Sequence, residues 1–499
     1  MRKDLLVKNT VASLLFQVTA IVCGFVLPQV FLQRFGSEVN GLVNSISQFL
    51  SVVSFLELGV GAVVQSSLYK PLADKDNRQI SCVVVSANRF FRRIAFVLLL
   101  YVVVLMLVYP TISNQDFDGV FTAVLIGAMS ISSFAQYYFG IVDSILLTAD
   151  QRGYIQYNAQ TIALVLNTVV CVAMISAGCS VQMVKLVSSL IFLVRPLVLR
   201  AYVNRRYGID WKVRYGEEPI KQKWNGVAQH VASVVLNGTD VIVLTMFSTL
   251  SNVSIYSVYY LVVSGVKTLF MSITDGFQAV LGELWAKQRL DELDSFFGWV
   301  EWLVHTGTTF VFACTAVLIV PFVQVYTLGV NDADYVQPLF AVLLTLANAM
   351  HCMRLPYNIM VLAAGHYRQT QRNYIVAVVL NVVISVLTVE LWGLVGVAIG
   401  TLVAMAYQTI WLFVYDSKNL IRWPLKRVAK QFAVDALSAA LIAAVGGSIA
   451  FNDISYLGWI LLAVKVSSMA VVIVLSVNFI FYMDRMKQMF GRVRNRLCG

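Results

Sequence analysis

The chain has 499 residues, 59% of them hydrophobic and only 13% charged, with a mean hydropathy of +0.76. A water-soluble domain carries about 25% charged residues, so the composition excludes a soluble enzyme and indicates an all-α membrane protein. The net charge of +11 does not by itself imply nucleic-acid binding; its placement along the chain reports topology.

Fourteen apolar spans are predicted, at 9–33, 39–68, 87–113, 119–148, 155–177, 181–204, 224–249, 252–286, 297–327, 333–364, 372–391, 393–417, 428–451 and 456–483. Each is long enough for the ~20 residues that a crossing helix needs; the strongest competing count is thirteen or twelve, because polar positions blur 224–249 and 428–451. With the amino terminus inside, the external loops hold a single base, Arg34. They also hold the acids Glu38, Asp116, Asp118, Asp332, Asp334, Glu390 and Asp453. Most other bases fall on the opposite side, so the positive-inside rule predicts cytoplasmic N and C termini. Arg2, Lys3 and Lys8 precede a first span without a small-residue cleavage site, and no cleavable signal peptide is expected. The seven cysteines show no paired spacing, so no disulfide or metal site is expected.

The sequence repeats itself. ADQRGYIQYNAQTIALVLNTVVCV (149–172) is similar to AAGHYRQTQRNYIVAVVLNVVISV (363–386), with Asn167 and Asn381 in register. Pro110 and Pro321 end comparable apolar runs, and Glu57 and Asp275 occupy near-equivalent places. Six spans per repeat give two halves inserted in the same orientation, a plan known among secondary transporters. The expected organisation is an N-terminal six-helix bundle (1–204), a cytoplasmic linker (205–223), a C-terminal six-helix bundle (224–417), and two additional helices with a basic cytoplasmic tail (418–499). The two bundles would be related by a pseudo-two-fold axis around a central cavity.

Several charges lie where hydrocarbon is expected. Glu57, Asp240, Lys267 and Arg354 interrupt oily spans; each costs at least about 2.5–3.5 kcal/mol at bilayer depth unless it faces protein or water. Polar residues also recur at helical spacing, which aligns them on one face. Span two gives Asn40, Asn44, Ser47, Ser51, Ser54 and Glu57, and span four gives Ser130, Ser133, Tyr137 and Asp143. Span seven gives His230, Ser233, Asn237 and Asp240, and span eight gives Tyr260, Ser264, Lys267 and Asp275. Serine and glycine stripes also serve close helix packing; the charges are what point to a cavity. Lys267 is too deep to reach the surface and is expected to meet an acid such as Asp240 or an anionic substrate. Arg354 precedes Pro356, and Arg195 precedes Pro196, where a proline can open helical carbonyls. Asp435 is expected to pair with Lys430, Asp143 to be solvated, and His230 and His351 to fill core or capping positions.

Residues 28–76, PQVFLQRFGSEVNGLVNSISQFLSVVSFLELGVGAVVQSSLYKPLADKD, carry a resemblance, supported by LNGTDVIVLTMF (236–247), SIYSVYYLV (254–262), the Arg354–Pro356 pair and GVAIGT (396–401). The chain resembles Wzx-type flippases of lipid-linked oligosaccharides, within the multidrug/oligosaccharidyl-lipid/polysaccharide exporter superfamily. The resemblance implies two six-helix bundles forming a V. It also implies a non-enzymatic, alternating-access flippase for undecaprenyl-pyrophosphate-linked repeat units, serving cell-surface polysaccharide assembly at the bacterial cytoplasmic (inner) membrane. It places Glu57, Asn237, Asp240, Lys267 and Arg354 at cavity motifs. On this reading Lys267, Arg354, Arg195 and Arg34 hold the diphosphate as point or forked donors, and Asn237, His230 and Asn44 meet the saccharide. Glu57, Asp240 and Asp275 gate the path or bind a coupling ion, H+ or Na+. No cofactor is expected, and no Walker-type loop is present, so energy must come from an ion or substrate gradient. Expected partners are the lipid-linked oligosaccharide, membrane lipids, and a polymerase with other polysaccharide-assembly proteins; nucleic acid is not one. The rivals are a cation-coupled multidrug exporter, which wants an acidic cavity, and a lipid II flippase. A membrane glycosyltransferase would need catalytic carboxylates and large external loops.

Overall fold

The structure, a computed structural model, describes residues 3–113, 117–215, 227–421 and 423–488. Within them it describes the backbone but not the side chains of Lys3, Leu6, 55–59, 227–234, Asn237, Asp275 and Leu425. Every regular element among the described residues is a helix: α1 (Lys3–Ser51), α2 (Phe55–Asp74), α3 (Asn77–Ile112), α4 (Gly119–Ala135), α5 (Ile141–Ala149), α6 (Gly153–Ser176), α7 (Val181–Tyr207) and α8 (Val227–Phe247) come first. Then follow α9 (Leu250–Ala286), α10 (Leu290–Tyr326), α11 (Pro338–Met353), α12 (Leu355–Ala363), α13 (Tyr367–Trp392), α14 (Leu394–Asn419), α15 (Leu425–Gly447) and α16 (Tyr456–Phe481). Twelve helical segments among the described residues are long and apolar enough to cross a membrane. The chain is therefore a multi-pass, all-α membrane protein. Large apolar side chains such as Leu100, Leu107, Leu391 and Ile480 are exposed on the helix surfaces, as contact with hydrocarbon allows.

Those twelve segments give no separate helix to two of the expected crossings, 39–68 and 224–249. The first is shared between α1, a 3-10 turn at Val52–Ser54, and α2. Gly36 breaks α1 with φ 80° and ψ 176°, a conformation that a glycine takes without steric cost. Residues beyond Gly36 thus begin a second arm, which hydropathy cannot separate from the first. The second crossing coincides with α8 (Val227–Phe247), a separate helix whose side chains are described only in part.

By contacts the chain divides into two units, Met1–Ser254 and Ile255–Gly499. In the first, α1 packs along α6 and meets α8, while α7 packs on α4 and α6. Gly41 lets α1 approach the start of α9, where an added Cβ would lie 1.8 Å from the Leu250 carbonyl oxygen. Around it Asn40 Nδ2 donates to Ser254 Oγ at 2.7 Å, and Ser45 Oγ shares a 2.7 Å bond with Thr245 Oγ1. Small and hydroxylated residues at such contacts follow from the lack of a hydrophobic drive between helices in lipid.

In the second unit α13 and α14 form a close pair, α14 also packs on α11, and α10 packs on α11, α15 and α16. The repeat-related asparagines serve comparable purposes. Asn167 is buried on α6 and accepts from Cys171 Sγ, and Asn381 is buried on α13 and donates to Thr401 Oγ1 on α14 at 2.9 Å. Of the expected linker, 205–215 is described as the end of α7 and a turn; 216–223 lies outside the described residues.

Candidate substrate cavity and cation sites

The first unit contains a cavity of about 500 Å³, within the range of roughly 300–1,000 Å³ usual for small-molecule sites. Three helices build it. The second arm of α1 and the turn after it contribute Ser47, Ser51 and Ser54, at spacings of four and three. From α4 and the segment that follows come Ser132, Ser133, Gln136 and Tyr137. α7 contributes Lys185, Ser188, Ser189, Phe192 and Arg195, again at helical spacing. Residues Gln136–Gly140 form a π-helical turn between α4 and α5, a widening found often at functional sites. Gly140 permits it, because a Cβ there would come within 2.8 Å of Pro196.

The wall chemistry is specific. Ser47 Oγ donates to the Val43 carbonyl at 2.8 Å and Ser51 Oγ to the Gln48 carbonyl at 2.7 Å. Donating into its own helix leaves the Ser47 oxygen able to accept from a ligand's hydroxyls, while Ser51 Oγ also accepts from Gln48 Nε2 at 3.0 Å. Lys185 and Arg195 add positive charge, and none of the described lining residues is acidic. The Lys185 ammonium lies 4.6 Å from the Phe31 ring centroid. It also lines a smaller cavity of about 110 Å³ beside Asn44, Asn40 and Ser188. Asn44 itself donates to the Asn40 carbonyl at 2.8 Å.

A second cation site lies in the other unit. Lys267 on α9 is 9% exposed, and its Nζ donates to Tyr260 OH at 3.2 Å. Arg354 occupies the break between α11 and α12, is 6% exposed, and bonds His351 Nδ1 through Nη2 at 2.9 Å. Its Nε and Nη1 are buried and have no hydrogen-bond partner among the described residues. Buried donors in folded proteins are nearly always paired, so this half-satisfied guanidinium is a candidate site for an acceptor. His351 and Cys352 lie within electrostatic reach of both Lys267 and Arg354. Nearby polar capacity includes Tyr374 OH, which donates to Asn358 Oδ1 at 2.5 Å.

The predicted site residues therefore separate. Arg195 and Asn44 line neighbouring cavities of the first unit, and Lys267 and Arg354 form the cluster of the second. Arg34 is exposed near the turn at Gly178 and lines neither cavity. Asp240 is buried on α8 and is not among the described residues lining the large cavity. The side chains of Glu57, His230, Asn237 and Asp275 lie outside the described residues.

Sequence reasoning missed Lys185, although its spacing to Ser188, Ser189, Phe192 and Arg195 is a helical stripe. Two expectations change. Asp143 is fully buried rather than solvated, held by Arg200 Nε at 3.3 Å, while Arg200 also bonds Asn88. Asp435 does not pair with Lys430, because five residues along a helix point to different faces. Asp435 instead meets His305 at 2.8 Å, and Lys430 donates to the Phe481 carbonyl. Among the described residues, no cluster of His, Cys, Asp and Glu is arranged to hold a metal.

No family model and no curated protein matches the chain. Solved structures do. The lipid II flippase MurJ in an inward closed conformation is similar with a TM-score of 0.72 and 12% identity, over 96% of this chain and 99% of that one. An inward-facing multidrug resistance MATE transporter of the MOP superfamily is similar with a TM-score of 0.63 and 14% identity, over 79% of this chain and 93% of that one. The Vibrio cholerae MATE transporter VcmN in its bent form follows with a TM-score of 0.56 and 12% identity, over 83% of this chain and 97% of its own. The 96% cover of the MurJ likeness leaves too few residues outside it to omit α15 and α16. The chain thus has the fold shared by MurJ and the MATE transporters of the MOP superfamily.

Proposed function

We propose that the chain is a flippase for an undecaprenyl-diphosphate-linked oligosaccharide. It carries the saccharide unit from the cytoplasmic to the outer leaflet of a bacterial cytoplasmic membrane by alternating access, with both termini in the cytoplasm, and supplies cell-surface polysaccharide assembly. The observation that carries this reading is the 500 Å³ cavity with seven serines, Gln136, Tyr137, Lys185 and Arg195 and no acid among its described lining residues. Serine, glutamine and tyrosine suit sugar hydroxyls; lysine and arginine suit a diphosphate. Lys267 and Arg354, the latter with two unmatched buried donors, extend the same preference for anions. A cation-coupled multidrug exporter would want the opposite charge. Glu57, Asp240 and Asp275 remain the proposed gating or ion-coupling acids of the resemblance.

A second reading, a lipid II flippase, is favoured by the likeness to MurJ across nearly the whole chain. Both substrates present a diphosphate and sugars on a polyprenyl tail, so the wall chemistry serves either. Proteoliposomes loaded with a fluorescent undecaprenyl-diphosphate-linked oligosaccharide, or with fluorescent lipid II, separate them. Protein-dependent translocation of the first but not the second supports the main reading, the reverse supports the alternative, and translocation of neither refutes both.

A further inference from the structure

The second unit holds a chain of buried titratable groups that neither cation site uses. Glu301 and His305 stand one turn apart on α10, Tyr357 lies on α12 and Asp435 on α15, with exposures of 2%, 0%, 1% and 4%. Tyr357 OH donates to Glu301 Oε1 at 2.7 Å. His305 Nδ1 and Asp435 Oδ2 are 2.8 Å apart, and Gln431 Nε2 donates to Asp435 Oδ1 at 3.1 Å. The His305 ring meets the edges of Tyr357 and Phe432 at 6.0 and 5.2 Å between centroids. Phe297, Val300, Val304, Met360 and Val428 surround the group with hydrocarbon.

Charge counting gives this cluster two states. One imidazolium can neutralise one carboxylate, and His305 with Asp435 has the geometry for it. Ionising Glu301 as well leaves an uncompensated negative charge in an apolar interior, which is costly. Losing the imidazolium proton leaves a neutral ring whose remaining N–H can still donate from Nδ1 to Asp435, but it removes the positive charge that offsets the carboxylate. The states differ by one proton on hydrogen-bonded atoms already in place. Further charged and titratable groups surround the cluster. Arg427 on α15 and Arg485 beyond α16 act on Glu301, and Tyr482 is within reach of Glu301 and Asp435. Asp416 on α14 acts on Tyr357, and its carboxylate oxygens have no hydrogen-bond partner among the described residues. Lys430 is engaged by the Phe481 carbonyl and the Tyr482 ring. At one end of the chain Asp294 on α10, with its side chain 46% exposed, lies beside Arg427 and offers a route to solvent.

We propose that Glu301, Tyr357, His305 and Asp435 form a proton-binding site that loads and unloads one proton in each transport cycle. The inference rests on the transport reading above. A proton taken from water adds to the His305–Asp435 pair or to Glu301, and the same proton later leaves to water; no other reactant is needed. A metal cation fits poorly, because both oxygens of Asp435 already face nitrogen. Asp435 sits on α15, one of the two helices outside the internal repeat, so proton occupancy alters the bond that ties this helix to α10.

Four histidines in the whole chain make the test tractable. Full-length protein labelled with ¹⁵N-histidine in lipid nanodiscs is titrated by NMR from mildly acidic to mildly alkaline pH. The His305 signal is assigned by its loss in His305→Gln. The proposal expects that signal to titrate, with a midpoint displaced in Asp435→Asn and Glu301→Gln. A His305 signal fixed across the range, as a purely structural ion pair would give, overturns it. In parallel, undecaprenyl diphosphate is added to weakly buffered protein containing a pH indicator, with binding followed by tryptophan fluorescence. Release of about one proton per bound probe, lost in Asp435→Asn and Tyr357→Phe variants that still bind, supports the proposal. Binding without release overturns it and leaves the flippase reading intact. If the probe does not bind, the flippase reading fails, and the histidine titration alone decides the proton site.

Discussion

Replacing Lys185 with methionine removes the ammonium from the cavity wall while keeping an unbranched apolar chain against Phe31. Lys185 is placed to offer a phosphate oxygen a charge-assisted hydrogen bond, a contribution of about 1.5–3 kcal/mol. At about 1.4 kcal/mol per tenfold in affinity, the dissociation constant should rise roughly 10- to 150-fold. The cation–π contact of the part-buried Lys185 to Phe31 at 4.6 Å contributes about 0.5–2 kcal/mol, so thermal stability should fall by no more than that. Equilibrium binding of undecaprenyl diphosphate to purified protein, read by tryptophan fluorescence, measures the effect. Lys185→Arg should retain most of the affinity, since the charge stays in place. If Lys185→Met binds the probe within about twofold of the wild type, the cavity does not hold the diphosphate and the reasoning from its lining fails.

Arg354→Gln should weaken the same probe by a comparable factor, because the two buried donors without partners are lost together; unchanged binding would place the diphosphate elsewhere. Gly41→Ala drives a methyl group into the Leu250 carbonyl and should cost about 1–3 kcal/mol or more, seen as a lower melting temperature in detergent. An unchanged melting curve would contradict the described approach of α1 to the start of α9. Asp143→Ala leaves Arg200 partly buried without its carboxylate and should cost roughly 3 kcal/mol; adding Arg200→Met should recover part of that loss.

Helix placement was legible because crossing a membrane demands long apolar runs, and most expected spans coincide with described helices. The break at Gly36 was not, since hydropathy carries no information about φ; nor was the π-turn at 136–140, which depends on Gly140 meeting Pro196. Candidate charges were readable when isolated in an oily span, as with Lys267 and Arg354. Lys185 escaped because the stripes were sought on other spans, although its periodicity with Ser188, Ser189 and Arg195 was available. His305 and Asp435 could not be paired from spacing: 130 residues separate them, and only the packing of α15 on α10 brings them together. Asp143 looked solvated by its position near a span end, yet Arg200 on another helix buries it.

Translocation in proteoliposomes is the decisive measurement. A fluorescent undecaprenyl-diphosphate-linked oligosaccharide is placed in both leaflets, and a membrane-impermeant quencher added outside reports the fraction that stays protected as the protein acts. The account predicts protein-dependent loss of protection, strongly slowed when Lys185→Met and Arg354→Gln are combined. Protection that is the same with and without the protein, or a double variant as fast as the wild type, would contradict it.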